Sequence, residues 1–255
     1  MRVRNLHEWD LNPKGARMVQ DEFRSLVEER PIDLGSVRFV AGCDVSYAAE
    51  TDRLYAAVVV TSFPELETVE EATAILDASF PYMPGLLAFR EAPALSVAFR
   101  HLHCQADAVL FDGQGYAHPR RFGIASHMGL LLEVPTVGCA KTLLTGEQGK
   151  LAAKKGSKAD LVDGSHGSEE VVGAAVRTRA NVAPVYVSAG HLSDLESAIA
   201  LVIATAKRYR IPEPLRRAHQ LSGELRTRDL EAREGEEAAG LDAGVDGAEG
   251  VGTGG

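Results

Sequence analysis

Two hydrophobic periods alternate along the chain. From Asn12 to Glu29 the spacing of Met18, Phe23 and Leu26 predicts a helix with those residues on one face, ended by Pro31. Val37 to Tyr47 and Leu54 to Ser62 read as strands, and the short linker AAETDR between them predicts an antiparallel hairpin. Glu67 to Leu76 adds a third strand. Strand and helix patterns then take turns: a helix over Ala94 to Gln105 after Pro93, a short strand over Ala108 to Asp112, a helix over Ile124 to Leu132 and a strand over Pro135 to Ala140. Val171 to Arg179 and Ala183 to Ser188 form a further pair of strands. Gly190-His191-Leu192 leads into a helix through Arg210, where Ser193 and Glu196 fit a capping box. Hairpin first and alternation afterwards imply an α/β fold, a mixed sheet with helices on both faces. From Glu224 to Gly255 the chain is acidic and rich in Gly and Ala, with little to bury, so a disordered tail is expected there.

Composition narrows the class. At 45% hydrophobic and 25% charged, the 255 residues are those of an ordinary globular protein. No apolar run approaches a membrane span, and no apolar segment follows the basic start MRVRNLHEWD, so a cytoplasmic protein is expected. Cys43, Cys104 and Cys139 are scattered and odd in number, which reads as reduced core thiols rather than a zinc or redox site. The net charge of −9 argues at first against a nucleic-acid partner. From Glu224 onward, however, nine acids face three arginines, so six of the nine negative charges sit in the tail. The remainder is only mildly acidic and carries basic pairs such as Arg120-Arg121 and Arg216-Arg217, which leaves nucleic acid open.

The chemistry is concentrated in acids that end or interrupt apolar segments. Asp44 interrupts FVAGCDVSY, Glu91 follows YMPGLLAFR, and Asp112 stops the run Val109-Leu110-Phe111. A buried carboxylate is costly unless compensated. Taken singly, each acid reads as a cap, a turn former or a partner for arginine; three in one sheet fit a shared hard cation such as Mg²⁺, which prefers oxygen ligands. TGEQGKL lacks the full pattern of a phosphate-binding loop, and GQG is too short for a dinucleotide fingerprint.

The segments VAGCDVSY, PYMPGLLAFREAP, LFDGQGYAHPRRFGIASHMG, PTVGCAKTLL and RRAHQLS resemble, in order from about Val37 to His219, the successive motifs of the endonuclease V family. The resemblance implies a ribonuclease H-like mixed β-sheet flanked by helices, with a catalytic domain over 1–223 and a tail over 224–255 that the family does not need. It implies a nuclease that reads deoxyinosine in DNA and cuts the second phosphodiester 3′ to it, leaving 3′-hydroxyl and 5′-phosphate ends; some members cut inosine-containing RNA. Asp44 and Asp112 match the metal-binding aspartates, Glu91 the third acid, Lys141 the lysine after PTVGCA, and His219 the histidine near the end of the fold. Tyr82 matches the tyrosine of the PYxPG wedge, and His118 lies in the GYAHPR motif. The implied cofactor is Mg²⁺, with Mn²⁺ as a substitute. DNA containing deoxyinosine is the partner, RNA the alternative, and a monomer the expected state. Rival readings are another nuclease of the same fold with a different substrate, or a non-catalytic binding module; the three acids with Lys141 weigh against the second.

Selecting hypoxanthine requires donors at O6 and tight walls at C2, around a base taken out of the stack. Gly85, Leu87, Gly113, Gly138 and Leu144 are the expected pocket residues, since glycine lets backbone approach closely. Tyr82, held between Pro81 and Pro84, is expected to fill the gap left by the base. Arg120 and Arg121 are expected to hold phosphates.

Overall fold

The computed structural model describes residues 1–48 and 51–245, with side chains described as far as 236. The predicted hairpin is present as β1 (Phe39–Tyr47) and β2 (Arg53–Ser62), extended by β3 (Thr68–Asp77). The central strands are β4 (Ala108–Phe111) and β5 (Thr136–Ala140). The sheet is completed by β6 (Glu147–Gln148), β7 (Lys158–Asp163), β8 (Glu170–Val176) and β9 (Val185–Ala189). The order across the nine strands is β3-β2-β1-β4-β5-β9-β8-β7-β6. β1, β4 and β5 run parallel, and every other pairing is antiparallel.

Helices cover both faces, as the alternation of strands and helices implied. Because side chains alternate across a strand, Ala41, Cys43, Val109 and Phe111 pack with α2 (Leu87–His101) and α3 (Ile124–Leu132). Val40, Ala108, Leu110 and Val137 pack with α4 (Leu195–Thr205) and with the start of α5 (Glu213–Val245). Gly42 faces α5, and a Cβ there would overlap the backbone of Pro214 and Leu215. Glycine thus allows the helix to lie directly on the strand.

Several local expectations are corrected. The first helix, α1 (Pro13–Phe23), is shorter than the pattern suggested, and a 3₁₀ turn at Arg24–Leu26 follows it. Its inner face is Ala16, Gln20 and Phe23, while Met18 and Leu26 are more than half exposed. α2 begins at Leu87 and runs through Pro93, so Glu91 stands on a helix and not in the sheet. The burial of Ala88, Phe89, Ala92 and Leu95 outweighs the local preference of proline for a helix start. α4 is capped by Asp194, whose carboxylate accepts from the Ser197 amide. Ser193 instead donates to the Thr136 carbonyl and Glu196 pairs with Lys158, so there is no capping box. The segment expected to be unstructured from Glu224 is helical as far as Val245. Asp229 docks it onto β2 through Arg53 (3.1 Å) and the Tyr55 hydroxyl (2.8 Å). The last part of the expected tail, 246–255, lies outside the described residues.

Candidate active site

β1 and β4 are parallel neighbours, with Cys43 opposite Phe111. The next residue along each strand direction is an aspartate, so register alone places Asp44 beside Asp112. Lys141 directly follows β5, the next strand over, and forms an ion pair with Asp112. α5 crosses β1 and supplies His219 and Ser222, both donating to the same Asp44 oxygen at 3.0 and 2.7 Å. Glu91 arrives from α2. Asp44, Glu91 and Asp112 line one cavity of about 40 Å³, closed by Cys43, Leu95, Phe111 and Ile124. Carboxylate, lysine and histidine come from five separate elements, gathered at the carboxyl ends of the parallel strands where open α/β sheets place their sites.

The electrostatics reveal a cage compensated only in part. Glu91 is 8% exposed and makes no hydrogen bond among the described residues. Burial, together with the charges of Asp44 and Asp112, pushes its carboxyl well above the usual range; Arg90 opposes this without reversing it. Burial also raises Asp112, despite Lys141 beside it. The described residues contain no ready-made cluster of three metal-ligating His, Cys, Asp or Glu side chains. The donor set nevertheless suits a hard divalent cation: oxygen ligands only, converging on one small cavity, with one carboxylate lacking any partner. Cys43 lies in the same wall, but burial keeps its thiol protonated.

The cage lies against a second cavity of about 680 Å³, which Asp44, Glu91, Asp112, Lys141 and His219 also line. One side of it is lined by Tyr82, Met83, Pro84 and Gly85. Tyr82 is 63% exposed, and Gly85, Leu87, Gly113, His118 and Leu144 are among the residues that line this cavity. Gly138 is not among the lining residues. It lies behind the Gly113–Gly115 turn, whose backbone occupies the space a side chain would need. The Gly113 amide is not free to read a ligand, since it donates to the Phe111 carbonyl.

Gly85 holds the loop in place. It adopts a left-handed conformation, φ +76°, that favours glycine. Its carbonyl accepts from Gln20 (3.0 Å), His118 (3.0 Å) and Arg120 (2.9 Å). His118 also accepts from the Arg120 amide, which fixes the neutral tautomer with its proton directed at Gly85. Burial lowers its pKa to about 4, in keeping with a neutral ring. Arg120 therefore braces the loop rather than standing free for phosphate. Arg121 is likewise withdrawn: it is buried and paired with Asp163 and Glu170. Neither Gln20 nor Ser222 was recognised in the sequence. Gln20 gives no signal beyond lying on an amphipathic helix. Ser222 stands three residues after His219 on one helix face, a spacing that could have marked it.

No helix among the described residues is long and apolar enough to cross a membrane. The sequence model of the family described as Endonuclease V matches residues 21–220. The chain is 48% identical over 222 residues to the endonuclease V of Methanothrix thermoacetophila, covering 87% of this chain and 96% of that protein. The crystal structure of the enzyme from Streptomyces avermitilis superposes with a TM-score of 0.83 at 42% identity, covering 90% of this chain and all of the other. An Asp→Asn variant of endonuclease V from Ciona intestinalis, solved with a DNA containing an inosine followed by a ribo-adenosine, superposes with a TM-score of 0.75 at 29% identity over 85% of this chain and 99% of that one. With the motifs in place around one cage and pocket, the chain belongs to the endonuclease V family of nucleases.

Proposed function

We propose that this protein is a Mg²⁺-dependent endonuclease that recognises deoxyinosine in DNA and hydrolyses the second phosphodiester 3′ to it. The observation that carries the reading is the shared cavity of Asp44, Glu91 and Asp112, whose three carboxylate residues also line a pocket large enough for a base. Asp44, Asp112 and Glu91 would hold the cation, Mg²⁺ or Mn²⁺ in its place. When bound, it supplies Lewis-acid stabilisation of charge at the scissile phosphate. Lys141, fixed by Asp112, offers a preorganised positive charge to the same phosphate. His219, oriented through Nδ1 by Asp44, keeps its second ring nitrogen for proton exchange with water or the departing 3′-oxygen.

The flipped base enters the larger cavity, and Tyr82 takes its place in the stack. Leu87 and Leu144 supply apolar wall, and the braced Gly85 loop fixes the pocket's width. A rigid wall rejects the 2-amino group of guanine, and an acceptor at O6 distinguishes hypoxanthine from adenine. The enzyme acts as a cytoplasmic monomer.

The test uses labelled oligonucleotides carrying hypoxanthine, adenine or guanine at one position, as DNA and as RNA, with and without Mg²⁺. Only the hypoxanthine DNA should be nicked efficiently, at the second bond on its 3′ side and only with the metal. Asp112→Ala should abolish cutting. Equal cutting of all three bases, or full activity of that variant, would overturn the proposal.

A further inference from the structure

The family match ends at residue 220, but α5 continues past it and along the active site. One face of the helix is committed to the sheet. Ser222 donates to Asp44, and Asp229 is held by Arg53 and Tyr55 on β2. Arg226 lies between these two anchors, so its position relative to the cage is fixed. It lines the large cavity together with Asp44, Lys141 and His219. It also lines an open groove that runs along the helix past Arg216, His219, Gly223, Thr227 and Arg228, where the one acid, Glu224, accepts a hydrogen bond from Gln220.

Arg226 has little else to do. Its one hydrogen bond among the described residues is a long one, 3.5 Å, to the Tyr47 carbonyl. By contrast, Arg216 and Arg217 are both engaged by Glu213. One turn before Arg226 the helix surface is bare: a Cβ on Gly223 would meet nothing within 4 Å. A guanidinium without a carboxylate partner, next to a smooth groove leading out of a phosphodiesterase centre, suits a bidentate phosphate contact.

Building on the function proposed above, we propose that Arg226 binds a backbone phosphate of the nicked strand next to the scissile one, and that the Gly223 face of α5 is the track along which that strand leaves the centre. The C-terminal helix, acidic as a whole, thereby contributes a positive contact beside the active site.

Binding of hypoxanthine DNA is measured by fluorescence anisotropy without divalent metal, across a salt series, for wild type, Arg226→Ala and Arg226→Lys. Arg226→Ala should bind more weakly and lower the slope of log affinity against log salt by about one unit, as the loss of one phosphate contact requires. Arg226→Lys should keep the slope and lose less affinity. Circular dichroism melts check that the helix stays docked, and Asp229→Asn serves as a control for undocking. If folded Arg226→Ala keeps the wild-type slope, the inference is wrong. Because the slope is read without cutting, that failure is separate from failure of the proposed function, which shows as wild-type enzyme that does not nick hypoxanthine DNA. Wild type that binds no DNA at all would sink both.

Discussion

At the residue scale, histidine shows how much of this protein depends on burial. His127 is fully buried beneath Trp9, Phe89 and Phe122. His7 donates through Nδ1 to the Glu8 carbonyl, so its Nε2 accepts from Nε2 of His127 at 2.7 Å. That leaves Nδ1 of His127 with no partner, and a second proton there would be a buried charge facing nothing. Burial lowers its pKa to about 3, and that of His118 to about 4. In the unfolded chain both rings titrate near 6.5. Between those values the unfolded state binds more protons, so stability is full above pH 6.5 and is lost as the pH falls towards 4 and then 3. Urea melts from pH 7 to 4.5 should show this decline. His127→Phe, which suits the aromatic surroundings, should reduce the slope by about 1.4 kcal/mol per pH unit in the middle of the range. An unchanged slope would mean that other groups govern acid sensitivity.

At the scale of elements, the decisive contact is α5 on β1. The helix brings His219 and Ser222 to Asp44 because Gly42 leaves room for the backbone of Pro214 and Leu215. Gly42→Ala should lift the start of α5, costing about 1–3 kcal/mol of stability as overpacking does. It should slow cutting more than tenfold, since both donors to Asp44 would shift. Urea melts and single-turnover nicking check the two effects together; a variant that is destabilised but cuts at the wild-type rate would show that α5 does not position the centre. Glu91 teaches a related lesson. The sequence marks it as an oddity in an apolar setting, but Pro93 two residues on reads along the chain as a helix start. The helix runs through Pro93 because packing of the surrounding alanines, Phe89 and Leu95 outweighs one lost hydrogen bond.

At the scale of the whole molecule, the acids cost stability that a cation should return. Glu91 and Asp112 are both pushed up by burial in one cage. Mg²⁺ binding only to the folded chain should therefore raise the melting temperature, with a gain of about 2.7 kcal/mol at a concentration one hundred times its dissociation constant. Asp112→Asn should lose that gain. A Mg²⁺-dependent shift that survives in the variant would place the ion elsewhere. The charge distribution follows the same logic: a net −9 does not exclude DNA, because the local field at a cleft matters more than the sum, and Lys141 and Arg226 both line the large cavity.

The sequence by itself determined the sheet's hairpin and alternating order, the motifs of the family, and the acids Asp44, Glu91 and Asp112 as residues too costly to bury without a purpose. Those signals are local, or carried by short ordered motifs, and survive being read along a line. Only the tertiary structure decided that Arg120 and Arg121 are engaged by other parts of the chain, that Gly138 backs the pocket without lining it, and that the chain beyond Glu224 continues as a helix docked through Asp229. Each of these depends on a partner distant in sequence: Gly85 for Arg120, Asp163 and Glu170 for Arg121, Arg53 and Tyr55 for Asp229. Which charge meets which is set by packing across the sheet, and periodicity along the chain carries no record of it.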